Sequence, residues 1–363
     1  MRIDKNTTIR LGDRNIVKIK IGDVVIWQKS TEPVVGPDYF YIENTYAGTN
    51  TISLKDNDSY VLLRDLQYSK DKDNWTTFTP STTALNISLN QGEKLYIRGS
   101  ENRGGVRLKI SGSQAHIVGG NINTLIKYDD PNNVTISQYG FSDLFHGDKN
   151  LTSASNLTLP ATTLEMRCYE GMFSGCWSLT TAPELPATTL ASYCYQSMFE
   201  NCNSLTTAPK LPATTLRYGC YRYMFNYCYS LTTAPELPAL KLADSCYQSM
   251  FNYCESLTTA PELPATNLAP SCYQSMFRFC TSLTTAPELP ALALVDSCYQ
   301  SMFSNCHLLN NITVYAHDIS ATDCTTDWLS GVASTGTFRN LGFATYPTDS
   351  TSGIPSGWTL VTT

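Results

Sequence analysis

The sequence predicts a mixed α/β repeat: a solenoid with one short helix and one extended segment per turn, preceded by one or more all-β N-terminal domains. Three observations lead there. A 26-residue unit recurs six times across residues 159–314. Inside each unit, apolar residues fall at helical spacing and are followed by a stretch with two prolines, which cannot continue a helix. Ahead of the units, residues 38–118 carry short alternating patterns broken by turn residues, the spacing of a β-sandwich.

Taken in chain order, residues 1–33 form a small β segment. Val17, Ile19 and Ile21 alternate with Lys18 and Lys20, and Gly-Asp pairs mark turns at 12–13 and 22–23. Strands this few and short are barely stable alone, so the expectation is a segment that docks onto another protein. The stretch "TEPVVGP" at 31–37 reads as a linker. Residues 34–120 form the sandwich-like domain, with strand patterns in "DYFYIENTY", "TISLKD", "YVLLRD", "LQYSKD", "WTTFT", "LNISLNQGEKLYIRGS" and "VRLKISGS". Residues 121–158 connect to the repeats and cap them. There, Gly140, Phe141, Leu144, Phe145 and Leu151 stand in the places that Cys, Tyr, Met, Phe and Leu hold in the units.

The units begin at Leu159, Leu185, Leu211, Leu237, Leu263 and Leu289, with the consensus L-P-A-T-x-L-x-x-x-C-Y-Q-S-M-F-x-x-C-x-S-L-T-T-A-P-E. Cys246, Met250 and Cys254 lie at i, i+4 and i+8, and Tyr247 and Phe251 at i+1 and i+5. All five share one side of a 3.6-residue helix of roughly two turns. One unit cannot bury this face alone, so the units are expected to stack, about 4.8 Å apart where they pair as sheet. Residues 315–363 close the far end, with Cys324 and Trp328 packed there.

The chain has 13 cysteines, an odd number, and twelve of them sit on the repeat. Cys168, Cys194, Cys220, Cys246, Cys272 and Cys298 form one column. Cys176, Cys202, Cys228, Cys254, Cys280 and Cys306 form the other. Two cysteines eight apart on a helix are about 12 Å apart, too far for a disulfide. C-x7-C is not a zinc spacing, and the chain has only four histidines. The expectation is a structural core of buried free thiols, with no metal and no cofactor. Inter-turn disulfides and metal are the other readings of the columns.

Comparing the units with one another separates scaffold from surface. The position after the second cysteine varies freely: Trp177, Asn203, Tyr229, Glu255, Thr281, His307. So do the two positions before that cysteine and the three before the first. Stacked units turn these positions into stripes on one surface. Trp177, Tyr193, Tyr218, Tyr227, Tyr229, Tyr253 and Phe279 are the candidate partner-binding residues, because exposed aromatic rings give large contact area at low entropic cost. Drift of solvent-facing letters is the competing reading. A second column, Glu184, Lys210, Glu236, Glu262 and Glu288, reads as a solvated face that discourages edge-to-edge association.

Charged residues make up 15% of the chain and the net charge is −6, without a basic stripe, which argues against nucleic-acid binding. No run of about 18 apolar residues occurs, so no membrane insertion is expected. The N-terminus shows no secretory signal, and synthesis in a cytoplasm without export by the usual route is expected. Asp129, Asp130 and His146, near the junction, are the residues a glycan depolymerase reading would use. Isolated acids without a constellation are usually solvated, and the expectation is no enzyme and no catalytic residue.

The unit "CYxxMFxxCxSLTTAPELPATTL" resembles the 26-residue bacterial surface-protein leucine-rich repeat, the BspA-like class, over about 159–314. The tail "WLSGVASTGTF…SGIPSGWT", the opening "KIKIGDVVIW" and "LQYSKDKDNWTTF…GEKLYIRG" resemble proteins of gut Bacteroidetes and their phages, in which a β-rich part precedes the same repeats. The resemblance implies a leucine-rich-repeat solenoid with an adhesion or host-recognition role and no defined catalytic residues. Surface members carry an export signal, and its absence points to a virion. The resulting expectation is a phage tail fibre or tail-associated receptor-binding protein, made in the host cytoplasm and located in the virion tail. Its expected partners are other tail proteins through residues 1–33 and a host surface glycan or protein through the variable positions, and a homo-oligomer is open. The alternative is a bacterial cell-surface leucine-rich-repeat adhesin.

Overall fold

The computed structural model describes residues 38–58, 61, 63–100, 104–348 and 352–363, with the backbone of four short strands between residues 10 and 28. Two compact units divide the chain, Met1–Asp38 and Tyr39–Thr363. In the first, β1 (Arg10–Leu11) pairs antiparallel with β2 (Arg14–Asn15), and β3 (Lys18–Ile21) with β4 (Val24–Gln28). The docking role expected of residues 1–33 falls on side chains that lie outside the described residues.

The second unit opens with two sheets. β5 (Tyr41–Asn44), β7 (Leu66–Ser69), β8 (Thr76–Phe78), β10 (Lys94–Arg98), β12 (His116–Asn121) and β13 (Leu151–Thr158) form one, in the order β13-β12-β5-β10-β7-β8. β6 (Asn50–Lys55), β9 (Leu85–Leu89) and β11 (Lys109–Gly112) form the other, in the order β11-β6-β9. Period-two alternation sets their inner faces: Ile52 and Leu54 of β6, and Leu95 and Ile97 of β10, point inward and are fully or almost fully buried. In the "YVLLRD" stretch the described residues, Val61 and Leu63–Asp65, are not strand.

These sheets run into the repeat region without a break. β13 lies parallel to β12, and on its other side the Ala154 amide donates to the Thr181 carbonyl (2.9 Å). Val106 and Ile110 donate to the carbonyls of Gly140 and Leu144, both at 2.8 Å, so the β region also covers the first turns of the repeat stack.

The expected helix in each unit is not there. The described residues are almost wholly β and turn, and the only helical pieces among them are two short 3-10 turns, Ile122–Leu125 and Pro131–Asn133. The chain is therefore not an α/β solenoid. The stretch from the first to the second cysteine is instead a run of four-residue turns. In the fourth unit, Gln248, Met250, Asn252 and Cys254 donate their amides three residues back, at 3.0–3.3 Å. The intervening amides of Tyr247, Ser249, Phe251 and Tyr253 donate across to the carbonyls of Cys272, Gln274, Met276 and Arg278 of the next unit, at 2.8–3.0 Å. A helix would keep all of these bonds within the segment, at i−4.

The reason lies in the backbone. Every fourth residue has positive φ: Ser245 at 55°, Ser249 at 54° and Tyr253 at 60° in this unit, and Ser271, Ser275 and Phe279 at 53–59° in the next. A left-handed residue every fourth position stops α-helix and resets the chain, so residues four apart superpose without drift. The inward set is the one the apolar spacing selects. Cys246, Met250, Phe251 and Cys254 are wholly buried and Tyr247 is 2% exposed. Each left-handed residue costs about 1–2 kcal/mol, whereas each of these five side chains gains about 1.5–3 kcal/mol gross on burial, so burial outweighs the strain.

Stacked in register, the units place like side chains in columns. The Tyr column runs Phe141, Tyr169, Tyr195, Tyr221, Tyr247, Tyr273, Tyr299, Trp328, with centroids 5.8–6.3 Å apart and planes within 17° of parallel. Phe141 and Trp328 thus hold the Tyr place at the two ends. A parallel sheet of β14 (Asn311–Val314), β15 (Gly336–Asn340) and β16 (Trp358–Val361) ends the chain. No helix among the described residues is long and apolar enough to cross a membrane.

The junction holds a buried ion pair. His116 Nε2 lies 2.9 Å from Asp148 Oδ2 and its Nδ1 lies 2.9 Å from the Gln114 carbonyl, with both side chains fully buried. With an acceptor at each ring nitrogen, the imidazolium is the form that fits. Burial pushes the His116 pKa down, but the Asp148 hydrogen bond and charge and the Gln114 carbonyl push it up further, and the net shift is upward from 6.5.

Two outcomes are expected. A raised folded-state value means that the pair stabilises fully below pH 6.5 and that its contribution is lost as pH rises through the folded value. The urea midpoint should therefore fall from about pH 6 to pH 9 in the parent chain, and the fall should shrink in His116→Gln, which should also be less stable by about 3–5 kcal/mol at pH 6. At the left-handed position Ser275, Ser275→Val should cost about 1–3 kcal/mol in denaturant unfolding. Ser275→Gly should stay within about 1 kcal/mol of the parent.

Candidate binding surface

Most of the left-handed residues lie on the outer side, half-buried or exposed, because the residues that follow them turn inward; Gly171, Gly219 and Ser249 are buried. The last of the three left-handed columns reads Gly147, Gly175, Asn201, Tyr227, Tyr253, Phe279, Asn305, Gly331, with φ between 59° and 75°. Glycine and asparagine accept this conformation readily, but for tyrosine and phenylalanine it is a strained choice. The three middle units nevertheless carry bulky rings there.

Those rings stack on one another. Tyr227 and Tyr253 lie 4.7 Å apart at 18°, and Tyr253 and Phe279 4.3 Å apart at 12°. The buried Phe column is looser, at 5.2–5.7 Å. Tyr229, two residues along from Tyr227, meets it edge-on at 6.1 Å and is 38% exposed. The Arg278 guanidinium lies 4.6 Å from the Phe279 ring. Burial, then the nearby Glu255 charge, push the Tyr229 phenol above its ordinary value. The result is a contiguous outer patch of Tyr227, Tyr229, Tyr253 and Phe279 bordered by Glu255 and Arg278. The three stacked rings cover one another's faces, so the patch offers ring edges and hydroxyls.

The other candidates lie in earlier units. Tyr193, half-buried, meets exposed Tyr218 edge-on at 5.0 Å and 82°. The Arg167 guanidinium is 4.4 Å from the Tyr193 ring. Trp177 is 46% exposed, with Lys149 Nζ 3.9 Å from its ring. The seven candidates thus fall into a four-residue patch, a Tyr193–Tyr218 pair and a separate Trp177. The acidic column with Lys210 is placed elsewhere, on the proline rows, where Glu262 and Glu288 border a groove between Pro264 and Pro287.

All thirteen cysteines are buried and free. Burial pushes their thiols upward, to about 12 at Cys168 and Cys306. In the second column each thiol donates to the Phe carbonyl of the preceding unit, for example Cys254 to Phe225 (3.2 Å) and Cys280 to Phe251 (3.1 Å). A small side chain with a donor is what this interior place needs. Among the described residues no three metal-ligating groups come together. Asp130 is occupied by Lys127 (3.2 Å) and Asn133 (2.7 Å), apart from His146, which lies at the edge of a polar cleft between units.

Sequence reasoning missed that cleft and the left-handed columns. The columns had a signal: Gly171 and Gly175, Asp143 and Gly147, and Asp327 and Gly331 recur four apart at the outward places. No family model, no curated protein and no solved structure matches this chain.

Proposed function

We propose that the chain is a tail fibre or tail-associated receptor-binding protein of a phage. In this reading residues 1–33 attach it to the virion and the outer face of the repeat stack recognises a host surface glycan or protein. The observation that carries the binding role is the patch of Tyr227, Tyr229, Tyr253 and Phe279. Every unit is left-handed at this place, yet three successive units fill it with rings, where glycine or asparagine would fit with less strain and packing of the core does not need them. Tyrosine and arginine are among the residues enriched at recognition hot spots. That Met1–Asp38 forms a compact unit of its own supports a role as an attachment module. The opening and tail segments resemble proteins of gut Bacteroidetes and of their phages, which is compatible with a virion component. The chemistry in this reading is binding without turnover.

Labelled protein applied to host cells tests it. The triple variant Tyr227→Ala, Tyr253→Ala, Phe279→Ala should lose at least about tenfold in cell binding, while Trp177→Ala should bind as the parent does. Equal binding by the triple variant would overturn the recognition face. Detection of the chain in bacterial envelopes but not in purified virions would overturn the tail assignment.

A further inference from the structure

A polar cleft of about 560 Å³ opens on the outer side of the first units, and none of the four rings of the aromatic patch lines it. A missing side chain helps to form it. Gly171 is left-handed, at φ 60°, and a Cβ added there would collide with Asp143 Oδ1. The matching places in later units carry Ser197, Tyr223 and Ser249.

Asp143, Glu170 and Glu200, from three successive units, face this space. Their neighbours differ. Arg167 Nη1 donates to both oxygens of Glu170, at 2.8 and 3.0 Å, and so neutralises it. Asp58, also in the lining, is held by Arg107 at 2.8 Å. Asp143 accepts only from the neutral Ser142 hydroxyl (3.1 Å), and Glu200 only from the Asn226 amide (2.7 Å). Among the described residues neither forms an ion pair. Asp143 and Glu200 therefore bring two carboxylates into the cleft outside its ion pairs, with the Lys109 ammonium, 3.4 Å from His146 Nδ1, near enough to act on Asp143. Burial pushes the Glu170 carboxyl above its ordinary value in spite of Arg167, which marks a poorly hydrated wall.

A second, independent feature is Ser174. It is 8% exposed and lines the cleft, and its hydroxyl has no hydrogen-bond partner among the described residues. In later units this column is closed by a side-chain ladder: Asn252 donates to Asn226 (2.8 Å), which donates to Glu200. The ladder stops at Glu200. The second Glu200 oxygen and the Ser174 hydroxyl are open to the cleft. A metal is the wrong group, since no three ligating side chains converge among the described residues.

We propose that this cleft binds a protonated primary amine on a hydroxylated frame, of which an amino sugar is the simplest natural form. Asp143 and Glu200 hold the ammonium, and Ser174 and Ser197 meet the hydroxyls. This site is separate from the aromatic patch and does not rest on its role. Calorimetric titration of the full chain with glucosamine, glucose and N-acetylglucosamine at fixed ionic strength tests it. Glucosamine should bind saturably and at least about tenfold more tightly than the other two, because a carboxylate–ammonium hydrogen bond is charge-assisted and about twice as strong as one between neutral groups. Glu200→Gln should remove about tenfold of that affinity and Ser174→Ala about threefold, while Glu184→Gln, an equal change of charge at an exposed place outside the cleft and the patch, should remove none. If Glu200→Gln melts below the parent, Asp143→Asn supplies the same reading. Equal responses to the three sugars would overturn the proposal. So would a glucosamine response that survives both carboxylate changes, or one that Glu184→Gln weakens as much.

Discussion

A backbone that turns left-handed at every fourth residue, and bonds alternately to itself and to the next unit, governs the rest of the molecule. The alternation is strict in the fourth unit: Tyr247, Ser249, Phe251 and Tyr253 donate outward along the stack, and the residues between them donate back. Because half of these bonds end on a neighbour, one unit cannot close its own hydrogen bonding. The sheets before the repeats, and after them a further turn run whose carbonyls at Cys324, Thr326, Trp328 and Ser330 accept from the last unit, supply what the end units lack. The same constraint divides side chains between inside and outside. The two residues after Ser245 and after Ser249 both turn inward, whereas after Tyr253 only Cys254 does and Glu255 is exposed.

Function follows from that division. The inward columns are nearly invariant because a ring or thiol out of size would disturb two neighbours as well as its own unit. The outward columns are free to differ, and they differ in two local ways. In the middle units the outward places carry aromatic rings, while in the first units they carry glycine and acids. A single scaffold thereby presents an aromatic patch and an acidic cleft, with no change in the backbone beneath them.

Much of this was legible in the sequence, for a physical reason. Cys246, Met250 and Cys254 share a face in a helix and in a four-residue turn alike, so the inward set and the unit length are the same in both. The helix itself was not legible from apolar spacing. Over i to i+8 the two periods differ by only about 40° at each step of four, and two such steps are too few to tell them apart. The glycines at 171 and 175 carried the missing information. The aromatic stripe was legible by comparing units, since Tyr227, Tyr253 and Phe279 hold one place. Their ring-on-ring contact was not, because it depends on the left-handed backbone. The cleft was hidden because Asp143, Glu170, Ser174 and Glu200 meet only through the register of three units.

Through-hydrogen-bond NMR couplings test the central claim most directly. The amide nitrogen of Phe251 should couple to the carbonyl carbon of Met276, in the following unit, and that of Met250 to Tyr247, three residues back. Coupling of Phe251 to Tyr247, four residues back, would show a helix in each unit and contradict the account.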